Sequence, residues 1–177
     1  MQGAISLKKI FFDCETDGLL DTMTKVHCIA VAINDGKVHS FGPDELYEGV
    51  KELCQADLLI GHNLINFDLR ALEKFDQTRH IRGYDFPVYD TLIVSRLLWP
   101  DLREDDYRKM HTKERKDYPK DCYGRHSLKA WGARLGLLKG LYLQEQGYAK
   151  FTEDMADYCR RDVEVLRTLY HALEGGR

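Results

Sequence analysis

The spacing of apolar positions changes along the chain, and each change marks an element. Lys8 to Glu15 carries Ile10, Phe11 and Phe12 in one short run, and Val26 to Ile33 is apolar almost throughout. Both predict strands with buried faces. Lys37 to Phe41 predicts a third strand, joined to the second through Asn34-Asp35-Gly36, residues suited to a tight turn. Leu46, Val50 and Leu53 then share one face of a predicted helix that runs to about Cys54, with Asp44 as its N-cap. Asp57 to Gly61 is a short buried strand, followed by HNLINFD and a helix over Leu69 to Phe75. Pro87 interrupts the next extended piece, Asp90 opens the helix DTLIVSRLLW, and Pro100 closes it. The last helix spans residues 152–173, with Thr152 as N-cap and Glu153 and Asp154 in its positive first turn. Three strands, a helix, a strand and then mainly helices predict an α/β domain with a mixed sheet.

Residues 101–121 break the pattern, with seven basic and seven acidic residues and almost no aliphatic ones. They are expected to form a solvated excursion or a partly ordered loop. No internal repeat or low-complexity tract is evident. With 177 residues, 44% of them hydrophobic, the chain suits one well-packed domain over 1–177. The longest apolar stretch, Val26 to Ile33, is too short to span a bilayer. The opening MQGAISLKKIFF runs straight into a strand without the pattern of a signal peptide.

The five cysteines are widely spread and form no CxxC pair, which suits free thiols in a reducing cytoplasm. His111, Cys122 and His126 match no common zinc-finger spacing. A net charge of −3 excludes a protein that coats nucleic acid by bulk positive charge. It does not exclude a nuclease, whose carboxylates bias the total downward.

Candidate chemistry lies in three motifs. Asp13 and Glu15 stand two apart on a strand, so both side chains leave one face of the sheet. Beside Ile10, Phe11 and Phe12, two carboxylates cost several kcal/mol per ion unless something positive pairs with them. Oxygen ligands of this kind favour Mg²⁺ or Mn²⁺; a solvated strand end is the plainer reading. Asp68 follows His62, Asn63 and Phe67 where a buried strand gives way to a helix. It also suits an acid stabilised by the helix dipole, with Asn63 as a local cap, Phe67 in the core and His62 a satisfied buried histidine. In the last helix, Met155, Tyr158, Cys159, Asp162, Leu166, Leu169 and Leu173 trace one stripe. Asp162 on that stripe needs a partner, and Tyr158 stands one turn away. A structural Tyr–Asp hydrogen bond explains the pair, but not the other three acids.

Read together, Asp13-Cys-Glu15, Asn63-Leu-Ile-Asn-Phe67-Asp68 and Tyr158-Cys-Arg-Arg-Asp162 resemble the motifs of the DEDD (DnaQ-like) 3′–5′ exonucleases. The tyrosine is that of the DEDDy branch. TKVHCIAV, DTLIVSRLL, GRHSLKAWGARLGLLKG and MADYCRRDV extend the similarity to the proofreading domain of family A DNA polymerases of short-tailed phages. The resemblance implies a ribonuclease H-like fold, a five-stranded mixed sheet flanked by helices. It also implies action on the 3′ ends of single-stranded DNA in a bacterial host cytoplasm. Two Mg²⁺ or Mn²⁺ ions would be held by Asp13, Glu15 and Asp162 and by Asp13 with Asp68, while Tyr158 orients the attacking water.

Substrate contacts expected by the same resemblance are Leu19 as a wedge between the last two bases, with Thr16 and Asn63 near the terminal nucleotide. An ordinary core leucine is the alternative for Leu19. Cys122 to Gly140 carries Arg125, Lys129, Arg134 and Lys139 without an acid, interleaved with Tyr123 and Trp131, as a single-strand path would require. Leu128, Trp131 and Leu135 equally fit the inward face of a surface helix. Polymerases of that family continue for hundreds of residues more, so a stand-alone enzyme, a polymerase subunit and an excised domain all stay open. An exoribonuclease and a non-catalytic module that binds a strand or a polymerase are the competing functions.

Overall fold

The computed structural model describes residues 7–75, 87–110, 118–137 and 149–175. Five strands form one mixed sheet: β1 (Lys9–Thr16), β2 (Val26–Ile33), β3 (Val38–Phe41), β4 (Leu58–Gly61) and β5 (Val88–Asp90). Their spatial order is β3-β2-β1-β4-β5. The β1–β2 and β2–β3 pairs are antiparallel, whereas β1–β4 and β4–β5 are parallel. Among the described residues six α-helices flank it: α1 (Leu46–Leu53), α2 (Asp68–Phe75), α3 (Thr91–Leu98), α4 (Leu102–Met110), α5 (Leu128–Arg134) and α6 (Glu153–Gly175). None is long and apolar enough to cross a membrane.

Strand alternation distributes β1 over two cores. Ile10, Phe12 and Cys14 pack with Ile29, Val31 and Leu59 against α1 and α2. Phe11 packs with Cys28, Ala30 and Ile60 against α6 and α5, so Asp13 and Glu15 leave on the α6 side. The α6 stripe is wider than its spacing predicts, because Val163, Val165 and Tyr170 are buried too. Tyr170 stands edge-on to Phe11 beneath it and to Tyr89 beside it, at centroid distances of 5.3 and 5.0 Å.

Two local expectations are corrected. Asp44 is not a helix N-cap: Pro43–Glu45 forms a 3-10 turn that precedes α1, and neither helix start has a side-chain cap. Pro43, with its fixed φ, sets that turn. Residues 101–121 are also not simply a loop, because α4 occupies Leu102–Met110. Its anchors are Leu102 in the core and Asp106, 1% exposed, which takes a bidentate pair of hydrogen bonds from Arg134 on α5 at 3.0 and 2.6 Å. Tyr118 is buried as well, its hydroxyl bonding the carbonyls of Cys122 and Ala130.

The strand register leaves one edge of β1 open near its end. The β1–β4 ladder runs only from Lys9↔Leu58 to Phe11↔Ile60, whereas β1–β2 continues to Thr16↔Val26. Asp13 to Glu15 therefore lie where β1 has lost its neighbour on one side. On the other side β2 bulges at His27, between the Glu15↔Cys28 and Thr16↔Val26 pairs.

Candidate active site

Three elements bring four carboxylates together at that open edge. β1 supplies Asp13 and Glu15, the first residue of α2 supplies Asp68, and α6 supplies Asp162. Asp68 Oδ1 accepts from the Cys14 backbone N–H at 3.2 Å and from the Cys14 thiol at 3.3 Å. The carboxylate thus satisfies a β1 donor that no strand reaches. Asp68 is 4% exposed, while Asp13, Glu15, Tyr158 and Asp162 are half-buried. The Tyr158 hydroxyl donates to Asp162, one turn further along α6. Cys159, between them on the helix, donates its thiol to the Asp13 carbonyl at 3.4 Å and to its carboxylate at 3.6 Å.

Burial and crowding make this cluster electrostatically costly. Burial first, then Asp68, Asp162 and Glu15, hold the Asp13 carboxyl well above the usual range. Burial and Asp162 push Glu15 up to about 8. Burial takes Asp68 to about 7 against the hydrogen bonds from Cys14, and Asp162 to about 6 against the Tyr158 hydroxyl and Arg161. Tyr158 is itself pushed up, by burial and by the carboxylates, so its hydroxyl keeps its proton. Ligand atoms of Asp13, Glu15 and Cys159 lie within 4.8 Å of one another. Crowded carboxylates of this kind fit a hard divalent cation, which would relieve both burial and repulsion.

No protein-family model matches the chain. It is 32% identical to the DNA-directed DNA polymerase of Enterobacteria phage T3 over 184 residues. To that of Escherichia phage T7 it is 30% identical over 187 residues. The alignments take in 91% and 93% of this chain but 26% of each polymerase, so the chain spans about a quarter of these relatives. Its fold aligns with Brucella melitensis NrnC with bound Mg²⁺ at a TM-score of 0.59 and 20% identity, over 98% of this chain and 75% of that one. The zinc-bound E. coli ExoI–ssDNA complex aligns at a TM-score of 0.55 and 14% identity, over 97% of this chain and 42% of the other. The chain is a homologue of the phage polymerases with the DnaQ-like exonuclease fold.

On that fold the remaining expected residues fall into two groups. Leu19, on the β1–β2 loop, is 75% exposed and so is not a core leucine. Its loop is held firmly: the Thr24 hydroxyl, with the Thr24 and Lys25 N–H groups at 2.8 and 3.1 Å, donates to Asp17 and lowers its pKa to about 2. Lys74 of α2 donates to the Leu20 and Met23 carbonyls at 2.9 and 2.8 Å. Thr16 is buried, its hydroxyl committed to the Gly18 carbonyl at 2.7 Å. Asn63 is half-buried in the left-handed region, φ +64°, at the turn that leads to Asp68.

The expected strand path of Arg125, Lys129, Arg134 and Lys139 is corrected in part. It is free of acids in sequence but not in space. Arg134 is 4% exposed and bound to Asp106, and Lys129 pairs with Asp121 at 2.7 Å. Arg125 is exposed, and its carbonyl accepts from Arg134. Leu128 and Trp131 face the core, which is the inward-face reading of α5. Lys139, like His111 of the zinc pattern, lies outside the described residues.

Asp90 is the residue whose weight sequence reasoning missed. Buried at 4% exposure, it accepts from Leu92 N and Ile93 N as the expected α3 cap, at 2.9 and 3.4 Å. It also accepts from Asn63 N at 3.0 Å and Ile65 N at 3.2 Å. Next to it, Thr91 donates to the Gly61 carbonyl at 3.1 Å and lies 2.9 Å from His62 Nδ1. Asp90 and Thr91 therefore pin the turn that aims Asp68. The capping half was legible in DTLI; the other half joins residues 25 and 27 apart, which no local pattern records.

Proposed function

We propose that this chain is a divalent-metal-dependent 3′–5′ exonuclease of the DEDDy type. It removes nucleoside 5′-monophosphates one at a time from the 3′-hydroxyl end of single-stranded or frayed DNA. The observation that carries the proposal is the convergence of Asp13, Glu15, Asp68 and Asp162 from three elements, with the Tyr158 hydroxyl on Asp162. A purely structural Tyr–Asp bond leaves the other three carboxylates without a reason to be there.

In this reading Asp13, Glu15 and Asp162 hold one divalent cation, and Asp13 with Asp68 a second. Bound there, Mg²⁺ or Mn²⁺ would supply the Lewis-acid charge needed to activate a water and to offset charge on the phosphate and the leaving oxygen. Tyr158 stays protonated, its proton donated to Asp162, so its oxygen orients a water and does not act as a base. Leu19, presented on a braced loop, inserts between the last two bases. Thr16 shapes that loop through Gly18, and Asn63 sits at the turn facing the terminal nucleotide. Arg125 and Lys129, at the exposed start of α5, contribute phosphate contacts at most weakened by Asp121.

Homology to about a quarter of the phage DNA polymerases supports DNA as substrate and an editing role beside a polymerase. A second reading, an exoribonuclease of short strands, draws on NrnC, which was solved bound to pGG and aligns over 98% of this chain. A 5′-labelled single-stranded DNA and its RNA twin, each incubated with Mg²⁺ and with EDTA, decide between them. A one-nucleotide ladder from the DNA, lost in EDTA and in Asp13→Ala, is expected. Faster shortening of the RNA turns the assignment to the second reading, and internal cuts in a circular strand refute both.

A further inference from the structure

α4 and the 3-10 turn at Lys120–Cys122 enclose a cleft of about 600 Å³, lined by Arg103, Glu104, Tyr107, Arg108, Lys120 and Tyr123. None of these belongs to the carboxylate site. Leu102 of α4 packs into the same core layer as α6, so the cleft lies on the side of the sheet that bears Asp13, Glu15 and Asp162. Its volume is that of a small-ligand pocket.

The lining is basic and aromatic in a chain of net charge −3. Glu104 is held by Arg108 at 3.2 Å, which leaves Arg103 and Lys120 with no ion pair among the described residues. Tyr107 is 62% exposed. Tyr123 is oriented by edge-on contact with the buried Tyr118, 5.2 Å between centroids. The wall is built for close approach. Gly124, at φ +63°, donates its N–H to Asp106 at 2.9 Å, and a Cβ there would lie 2.7 Å from the Arg103 Cβ. The cations placed here are distinct from Arg134 and Lys129, which Asp106 and Asp121 neutralise.

We propose that this cleft is a second strand-binding site, which holds single-stranded nucleic acid upstream of the end being trimmed. Arg103 and Lys120 contact phosphates, and a base stacks on Tyr107, the combination by which proteins hold single strands without reading sequence. The proposal rests on the exonuclease reading for its purpose, but its test needs no cleavage.

The experiment measures fluorescence anisotropy of labelled oligo-dT of twelve and of two nucleotides, with the full chain carrying Asp13→Asn so that no strand is consumed. The comparison is between this protein and the same protein with Arg103→Gln, Tyr107→Ala and Lys120→Gln added. For the twelve-nucleotide strand we expect Kd to rise at least about tenfold. The slope of log K against log salt should become shallower by about 1.4, the counterions of two lost single-strand phosphate contacts. Binding of the two-nucleotide strand should not change. Tyr107→Ala alone, at a position 62% exposed, should weaken the long strand without changing its salt slope, with a melting curve to show that the variant is folded. Unchanged binding of the long strand overturns the proposal, as does equal weakening of both lengths. Failure of the exonuclease reading shows separately, as wild type with Mg²⁺ that leaves strands intact.

Discussion

The Asp68 carboxylate accepts the Cys14 backbone N–H at 3.2 Å, in the place where a neighbouring strand's carbonyl would stand had the β1–β4 ladder continued beyond Phe11↔Ile60 as far as Cys14. The start of α2 is thereby tied to the middle of β1, and Asp68 is delivered beside Asp13. The acid that raises the Asp13 pKa most, after burial, is thus held there by the backbone on which Asp13 sits. Repulsion between two carboxylates is built into the fold, and it has measurable consequences.

The metal-free protein should lose stability as pH rises from 6.5 to 8.5. Glu15 and Asp68 have folded pKa values of about 8 and 7, and Asp13 is raised as well, all above their ordinary values near 4. Groups shifted upward stabilise the fold fully below the unfolded pKa and lose that contribution as pH rises through the folded one. His62, which burial pulls down to about 4, works in the opposite direction only below about 6.5. Mg²⁺ should restore the melting temperature, and more so at pH 8.5. A metal-free melting temperature that is flat or rising across this window contradicts the electrostatics described above.

Tyr158→Phe should slow hydrolysis by roughly one to two orders of magnitude and leave a clear remainder, because it removes a positioning hydroxyl and no charge. Asp162→Asn should cost roughly two to three orders, the scale of losing a charge-stabilising group. Single-turnover rates check the order. Equal damage from the two would make Tyr158 a ligand or a folding residue.

Leu19→Ala should raise KM several-fold on single strands while Mn²⁺ binding, read by calorimetry, stays the same. At 75% exposure it should change stability by less than about 0.5 kcal/mol. A large fall in unfolding free energy would show that Leu19 packs against something and does not serve the strand.

Asp90→Ala strips acceptors from four N–H groups on two segments, and should cost about 2–4 kcal/mol in denaturant unfolding. Its divalent-cation affinity should also fall, because the turn before Asp68 loses its tether. Asp90→Asn keeps one carbonyl acceptor for the α3 cap and should fall between. If the alanine variant binds cations as wild type does, the clamp does not aim Asp68.

Arg134→Ala should destabilise by about 3–5 kcal/mol, because it removes the bidentate guanidinium pair from a carboxylate only 1% exposed. Lys129→Ala removes an exposed pair and should cost less than about 1 kcal/mol. Urea titrations separate them. A mild effect of Arg134→Ala with weakened strand binding would return Arg134 to the strand path.

Much of this arrangement was legible in local pattern. The strand carrying Asp13 and Glu15, the caps Asp90 and Thr152, and the apolar face of α6 all follow from periods and capping chemistry within a few residues. α4 was not legible, since its helix has one core residue, Leu102, and its polar anchor Asp106 makes sense only beside an arginine 28 residues away. The same distance misled the reading of the basic run. Charge counted along a sequence takes no account of acids brought in by another element.

What the sequence by itself determined, then, is which residues carry chemistry and which periodic elements bear them, because capping and amphipathicity act over one or two turns. What only the tertiary structure decided is where those elements stop beside one another. The short β1–β4 ladder leaves a donor for Asp68, Asp90 serves two segments at once, and Asp106 removes Arg134 from the surface. Each is a hydrogen bond between residues 25 to 54 apart, made because a buried donor or carboxylate costs too much to leave unpaired.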